Sequence, residues 1–138
     1  MKFTRVLALI VAGVILACTF ASCGAAAPIT KVTLKIIGDD PTDPILETEV
    51  EVQDEAPTVL MAFVEGCIVN EVAYTLTDAE DSVLDIEEFK EYTDEEGNIH
   101  FWTYYINGET PQGGRANTIA IKEGDVIEYK FEIAEPDM

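Results

Sequence analysis

The sequence predicts an α+β domain, a mixed sheet built around a single helix. Three observations carry that expectation. Residues 31–37 and 46–52 alternate polar with apolar at period two, the mark of half-buried strands. Residues 57–70 repeat their apolar side chains at helical spacing instead. Everything after them returns to short apolar runs punctuated by Gly, Asn and Asp, which reads as further strands.

Taken in order, Lys31, Thr33 and Lys35 alternate with Val32, Leu34 and Ile36 in the first strand. Residues 38–44 are dense in Gly, Asp and Pro and form a connection. In the second strand Glu47, Glu49 and Glu51 take one face, and Leu46, Val50 and Val52 the other, antiparallel to the first if a hairpin joins them. The helix places Leu60, Phe63, Val64, Cys67 and Ile68 on one stripe, with Asp54 as its expected cap and Pro57 in its first turn. Cys67 sits on that stripe and reads as a small core residue. A third strand covers residues 72–76 and a short edge strand 83–86, with Phe89 and Tyr92 packing nearby. Residues 94–98 form a turn and 99–106 a long aromatic strand, ended by Asn107 and Gly108, which both accept positive φ. A last hairpin is expected between residues 117–121 and 126–133. Strands, one helix and more strands make this a β-grasp-like mixed sheet around one helix.

The first residues are of another kind. Lys2 and Arg5 precede an apolar run over residues 6–17, and small residues lead to Cys23. A basic start, a short apolar stretch and small residues describe a secretory signal rather than a membrane span, which takes about 20 apolar residues. The pattern resembles a bacterial lipoprotein signal, so residues 1–22 are expected to be removed and Cys23 lipidated. Cys18 competes for that role, and ordinary cleavage near residues 25–27 is the other alternative. The expected location is outside the bacterial cytoplasmic membrane, lipid-anchored, with residues 23–30 as tether, 31–134 as domain and 135–138 as tail.

The chain of 138 residues carries a formal net charge of -19. Loss of residues 1–22 also removes Lys2 and Arg5, leaving 27 acids against 6 bases, about -21. Such a surface repels nucleic acid and anionic lipid head groups. Catalysis has little material: beyond the leader there is one histidine, His100, one serine, Ser82, and the apolar-stripe Cys67. A nucleophile needs a base within hydrogen-bond reach, and these three fall in different elements. The chain is therefore read as no enzyme, with no cofactor and no metal site. The acidic loops 39–43 and 78–82 do not fit a calcium-binding EF-hand: counted from Asp78, Val83 stands where glycine is needed and Phe89 where the closing glutamate belongs. They read as solvated loops.

The aromatic run is the feature that asks for a function. In a strand Phe101, Thr103 and Tyr105 face one way, and His100, Trp102, Tyr104 and Ile106 the other. One set packs on the helix. The set with Trp102 and Tyr104 is wide, rigid and amphipathic, suited to stacking on a flat ligand or a partner, unless cross-strand neighbours simply cover it.

The last third of the chain, from Phe101-Trp102 through Asn107-Gly108 and Thr110-Pro111 to the Lys122-Glu123-Gly124-Asp125 turn, resembles the C-terminal β-domain of the transcobalamin and intrinsic-factor family, and related secreted bacterial modules of unknown function. Pro57 to Leu60, opening the helix, fits the same pattern. In the cobalamin carriers this domain closes over one face of the corrin with the tryptophan and the loop after Thr-Pro. The resemblance implies Trp102 as the ligand-facing ring beside Tyr104, with Pro111, Gln112 and Gly113 as the lip. Where the carriers have leucines after Thr-Pro, this chain has Gln112, Gly113 and Gly114, and the carriers' large helical domain is expected to have no counterpart within these 138 residues. The expected function is thus a small-ligand-binding module, for a corrinoid or another flat molecule, with a protein partner supplying the second wall. The alternative is a surface protein-interaction or adhesion domain without a small-molecule ligand.

Overall fold

The computed structural model describes residues 26–111 and 113–136. The expected leader, both candidate lipidation sites, Cys18 and Cys23, and Gln112 lie outside the described residues. The α+β expectation holds, as a curled mixed sheet with one helix among the described residues.

Strands β1 (Ile29–Ile37) and β2 (Leu46–Gln53) form the expected hairpin, paired from Ile29↔Gln53 to Ile36↔Leu46. Its turn is held by Asp40, whose Oδ1 accepts from both the backbone N–H and the hydroxyl of Thr42, at 2.9 and 2.6 Å. Val32, Leu34, Ile36, Val50 and Val52 are buried, while Glu47, Glu49 and Glu51 are exposed, as period two dictates.

Helix α1 (Val59–Val69) crosses the inner face of this hairpin. Its buried stripe is Val59, Ala62, Phe63, Gly66 and Cys67, joined by Leu60, so the inward face is turned by one residue from the expected stripe. Ile68, expected inside, is 61% exposed. Small side chains explain the turn: Ala62 and Gly66 let the helix lie close, and a Cβ on Gly66 would come within 2.5 Å of Leu34 Cδ2.

The cap also differs from expectation. Thr58 Oγ1 accepts from Met61 N–H at 3.3 Å, whereas Asp54 Oδ1 accepts from Ala56 N–H in the turn before it. The first-turn donors Val59 N–H and Leu60 N–H go to the carbonyls of Ile119 (3.0 Å) and Ala116 (2.9 Å). Those bonds overturn the expected strand at residues 117–121. The segment is instead a turn that braces the helix start, bridged at Thr58↔Ala120, because the first N–H groups of a helix need acceptors from outside it.

Strands β3 (Tyr74–Leu76) and β4 (Val83–Ile86) form a separate two-stranded sheet, followed by β5 (Tyr92–Thr93), β6 (Ile99–Ile106) and β7 (Val126–Ala134). The large sheet has the order β2-β1-β7-β6-β5. Strand β7 thus enters between β1, to which it is parallel, and β6, to which it is antiparallel, rather than closing a local hairpin. Parallel neighbours cannot be joined by a tight turn, so α1 and the small sheet ride on the long crossover. The turn after β6 forms as the residues require, with Asn107 at φ 53° and Gly108 at φ 82°.

Candidate functional site

The pairing of β6 with β7 sets His100 opposite Ile133, Trp102 opposite Phe131, Tyr104 opposite Tyr129 and Ile106 opposite Ile127. Directly opposed residues share a face, so these eight side chains form one inward row. The Trp102 and Tyr104 set therefore packs on the core. Tyr129 lies 4.6 Å, centroid to centroid, from Phe63 of α1, and Tyr104 lies 5.5 Å from Tyr129. Burial raises the Tyr104 hydroxyl above the ordinary tyrosine range, and that of Tyr129 well above it.

Trp102 is 7% exposed. Its indole N–H donates to the carbonyl of Phe89 at 2.9 Å, the Phe89 ring stands edge-on to it, and Phe131 packs 5.2 Å away. The expectation of Trp102 as an open ligand-facing ring is corrected by this cover. The chain that links β4 to β5 folds back over the strand, because an indole satisfied by a backbone carbonyl is stable inside. The other face of β6 is outward and polar, where Tyr105 donates to Glu132 at 2.6 Å and Lys130 lies over the Tyr105 ring.

At its outer end the same row is open. His100 stacks on Tyr92 with ring centroids 4.2 Å apart and planes 12° from parallel. Together with Phe89, Phe131 and Ile133 they line a groove of about 550 Å3, rimmed by Asp39, Glu88 and Lys90. Tyr92 and Ile133 are half or more exposed, at 51% and 61%. Gly38 backs the groove, where a Cβ would strike the Phe89 ring at 2.7 Å. His100 Nε2 lies 3.0 Å from Asp94 Oδ2. Hydrogen bonds from His100, then Asn98, hold the Asp94 carboxyl down at about 2.

The remaining described site candidates, Tyr104, Pro111 and Gly113, do not join this groove. Pro111 is half-buried and lines a second groove of about 400 Å3, with Ile106, Thr110, Ile121 and Lys122. Gly113 is exposed at φ 73° with open space where a side chain would point. Tyr104 sits between the two grooves on the row, half-buried. Of the groove's aromatic residues, Phe131 escaped the sequence analysis. Its alternation in β7 places it on one face, but only the pairing with Trp102 says which. Among the described residues no cluster of His, Cys, Asp or Glu is placed to hold a metal ion. In the acidic loops Asp40 accepts from Thr42, and Asp81 accepts from Thr77 and lies 3.2 Å from Arg115.

No family model and no curated protein matches this sequence. Solved structures do. Haptocorrin in complex with Cbi matches at a TM-score of 0.60 and 13% identity, over 79% of this chain and 26% of haptocorrin. The likeness is one of fold. The matched region thus spans about a quarter of haptocorrin, a member of the transcobalamin family, so the resemblance read from the sequence extends to three dimensions as a distant one. A Ruminococcus gnavus protein described as a candidate metal-binding protein matches at a TM-score of 0.48 and 18% identity, over 78% of this chain and 99% of that one.

Proposed function

We propose that this chain is an extracytoplasmic, lipid-anchored binding module that takes a corrinoid or similar flat molecule at the Tyr92–His100–Phe131 groove. The observation that carries the reading is an aromatic row covered along its length and open at one end. Trp102 is capped by Phe89, while the stacked Tyr92 and His100 rings continue the row out to the surface. Wide rings with a polar rim suit a planar ligand that is apolar on its face and hydrogen-bonding at its edge. The fold shared with a protein solved with a corrinoid supports the ligand class. The groove would cover one face of such a ring, so a partner protein supplies the other wall. Alone, the module binds at micromolar affinity or weaker, about -8 kcal/mol at most. The proposal includes no catalytic step. Burial, with Glu87 nearby, pushes the Cys67 thiol up to about 12, and Ser82 Oγ is engaged with Asp81.

Trp102 is the single tryptophan and lies against Phe131 of the groove, so its emission reports on occupancy. Titration with cobinamide and with cobalamin should quench it saturably. Tyr92→Ala should weaken binding by roughly tenfold or more, as loss of an aromatic anchor does. Calorimetry without binding at millimolar corrinoid would sink the reading. A loss on Pro111→Gly but none on Tyr92→Ala would move the site to the second groove. For the anchor, Cys23→Ala should release the protein from membranes or leave it unprocessed, and Cys18→Ala should not. Unchanged membrane retention of the Cys23→Ala protein would remove Cys23 from that role.

A further inference from the structure

The long free edge of the sheet is β2. Gly124 N–H donates to Lys31 O and Thr33 N–H to Asp125 O, each at 2.9 Å, so the odd-numbered residues of β1 turn their backbone groups away from β2. In an antiparallel pair these alternate, and the partners opposite Lys31, Thr33 and Lys35 are Glu51, Glu49 and Glu47. Those three glutamates therefore direct both N–H and C=O outward from the sheet. An edge with outward groups at every second residue is a template for another strand.

Beside that edge runs a trough. Between β2 and α1 lies a groove of about 630 Å3 whose apolar wall includes Val52, Leu60, Met61 and Val64, with Ile29 at its end. A smaller hollow of about 290 Å3 shares Glu51 and Glu65 with it and continues past Gly66 to Val69. Ile29, Met61 and Val69 are 52%, 39% and 68% exposed. The rim is acidic. Lys31 lies 3.4 Å from Glu51, while Glu47, Glu49 and Glu65 have no ion-pair partner among the described residues.

We propose that β2 accepts an extended basic segment of a partner protein as an added strand. Its apolar side chains enter the trough against Met61 and Val64, and its alternate Lys or Arg side chains stand over the glutamate row. The charge decides the occupant. A second copy pairing β2 with β2 would set one glutamate row against another, and like charges directly opposite are destabilising. On the opposite side β5 is two residues long, and the part of β6 beyond it carries aromatic side chains instead of a glutamate row, so the charge argument applies to β2 alone. This surface is separate from the aromatic groove, so either proposal stands if the other fails.

The test uses the full chain in mild detergent and blocked decapeptides of alternating residues, read by calorimetry and amide NMR shifts. The Lys-Val peptide should bind at least tenfold more tightly than the Glu-Val peptide, shift β2 amides and weaken with salt. Glu49→Lys with Glu51→Lys should reduce its affinity tenfold or more while the circular dichroism is unchanged. N-methylation tests the strand itself. In an antiparallel addition the residues opposite the glutamates are the lysines, so methylating the Lys amides abolishes binding and methylating the Val amides does not. The reverse pattern marks a parallel addition and supports the proposal equally. Equal binding of the two peptides, or binding retained or lost alike by both methylated forms, would overturn it.

Discussion

The indole N–H of Trp102 and the carbonyl of Phe89 are 2.9 Å apart, with the two rings nearly perpendicular. This contact ties the chain after β4 onto the aromatic strand and closes the inward row. Trp102→Ala should therefore act on stability, at about 3–5 kcal/mol. Trp102→Phe keeps much of the ring but loses the hydrogen bond. Since Phe89 O also accepts from Ile86 N–H, its cost should be nearer 1 kcal/mol. Urea denaturation separates the two. A loss below about 1 kcal/mol for Trp102→Ala would mean that the cover is not an integral part of the fold.

Gly66→Ala has an informative sign. In a solvent-facing helix the change gains about 1 kcal/mol. Here the added methyl would sit 2.5 Å from Leu34 Cδ2 and 3.1 Å from Val50 Cγ2, and Leu34 is fully buried. The variant should be less stable than the parent by about 1–3 kcal/mol. Phe63→Ala, at the centre of the same interface, should cost about 3–5 kcal/mol, a threat to folding in a domain of about 5–15 kcal/mol. A stabilised Gly66→Ala protein would place the helix farther from β1 than described.

Two residues compete as the cap of α1, and their variants rank them. Thr58→Ala should cost about 1 kcal/mol, because its hydroxyl accepts from Met61 N–H. Asp54→Ala removes only the bond from Ala56 N–H in the preceding turn and should cost less. Thermal denaturation giving the opposite order would restore Asp54 as the cap.

Acid should loosen the turn before β6. Asp94 accepts from His100 and Asn98 side chains and from the Glu96 and Asn98 backbone, and its carboxyl is held at about 2 against an ordinary 3.8. A depressed carboxyl stabilises the folded form fully above its unfolded pKa, and that contribution fades as pH falls through the folded one. The amide shifts of Glu96 and Asn98 should thus hold down to about pH 3.8 and then move with a midpoint at about pH 2. Asp94→Asn should abolish the transition. A midpoint near 4 in the parent would show that the His100 bond does not persist in solution.

Sequence alone determined what depends on near neighbours. Period-two alternation placed β1 and β2 and assigned their faces, since side chains of a strand alternate whatever the strand pairs with; the aromatic run placed β6 and sorted its side chains into two sets, but not which set turns inward. Helical spacing located α1 and put Cys67 inside, and Asn107-Gly108 marked the turn because few other residues tolerate its φ values.

Tertiary structure decided which partner each element meets. An apolar segment such as 117–121 satisfies a strand pattern equally well when it packs and hydrogen-bonds against a helix start, and that choice rests on donors nearly 60 residues away in sequence. The small residues Ala62 and Gly66 turned the helix stripe by one position, because close approach to Leu34 outweighs the burial of Ile68. Trp102 was legible as a wide ring on one face of a strand, but its closure depends on a carbonyl 13 residues earlier that local pattern does not place. The same folding that covers Trp102 leaves Tyr92 and His100 open, because the cover ends at Phe89 and the short β5 pairs only with the first residues of β6.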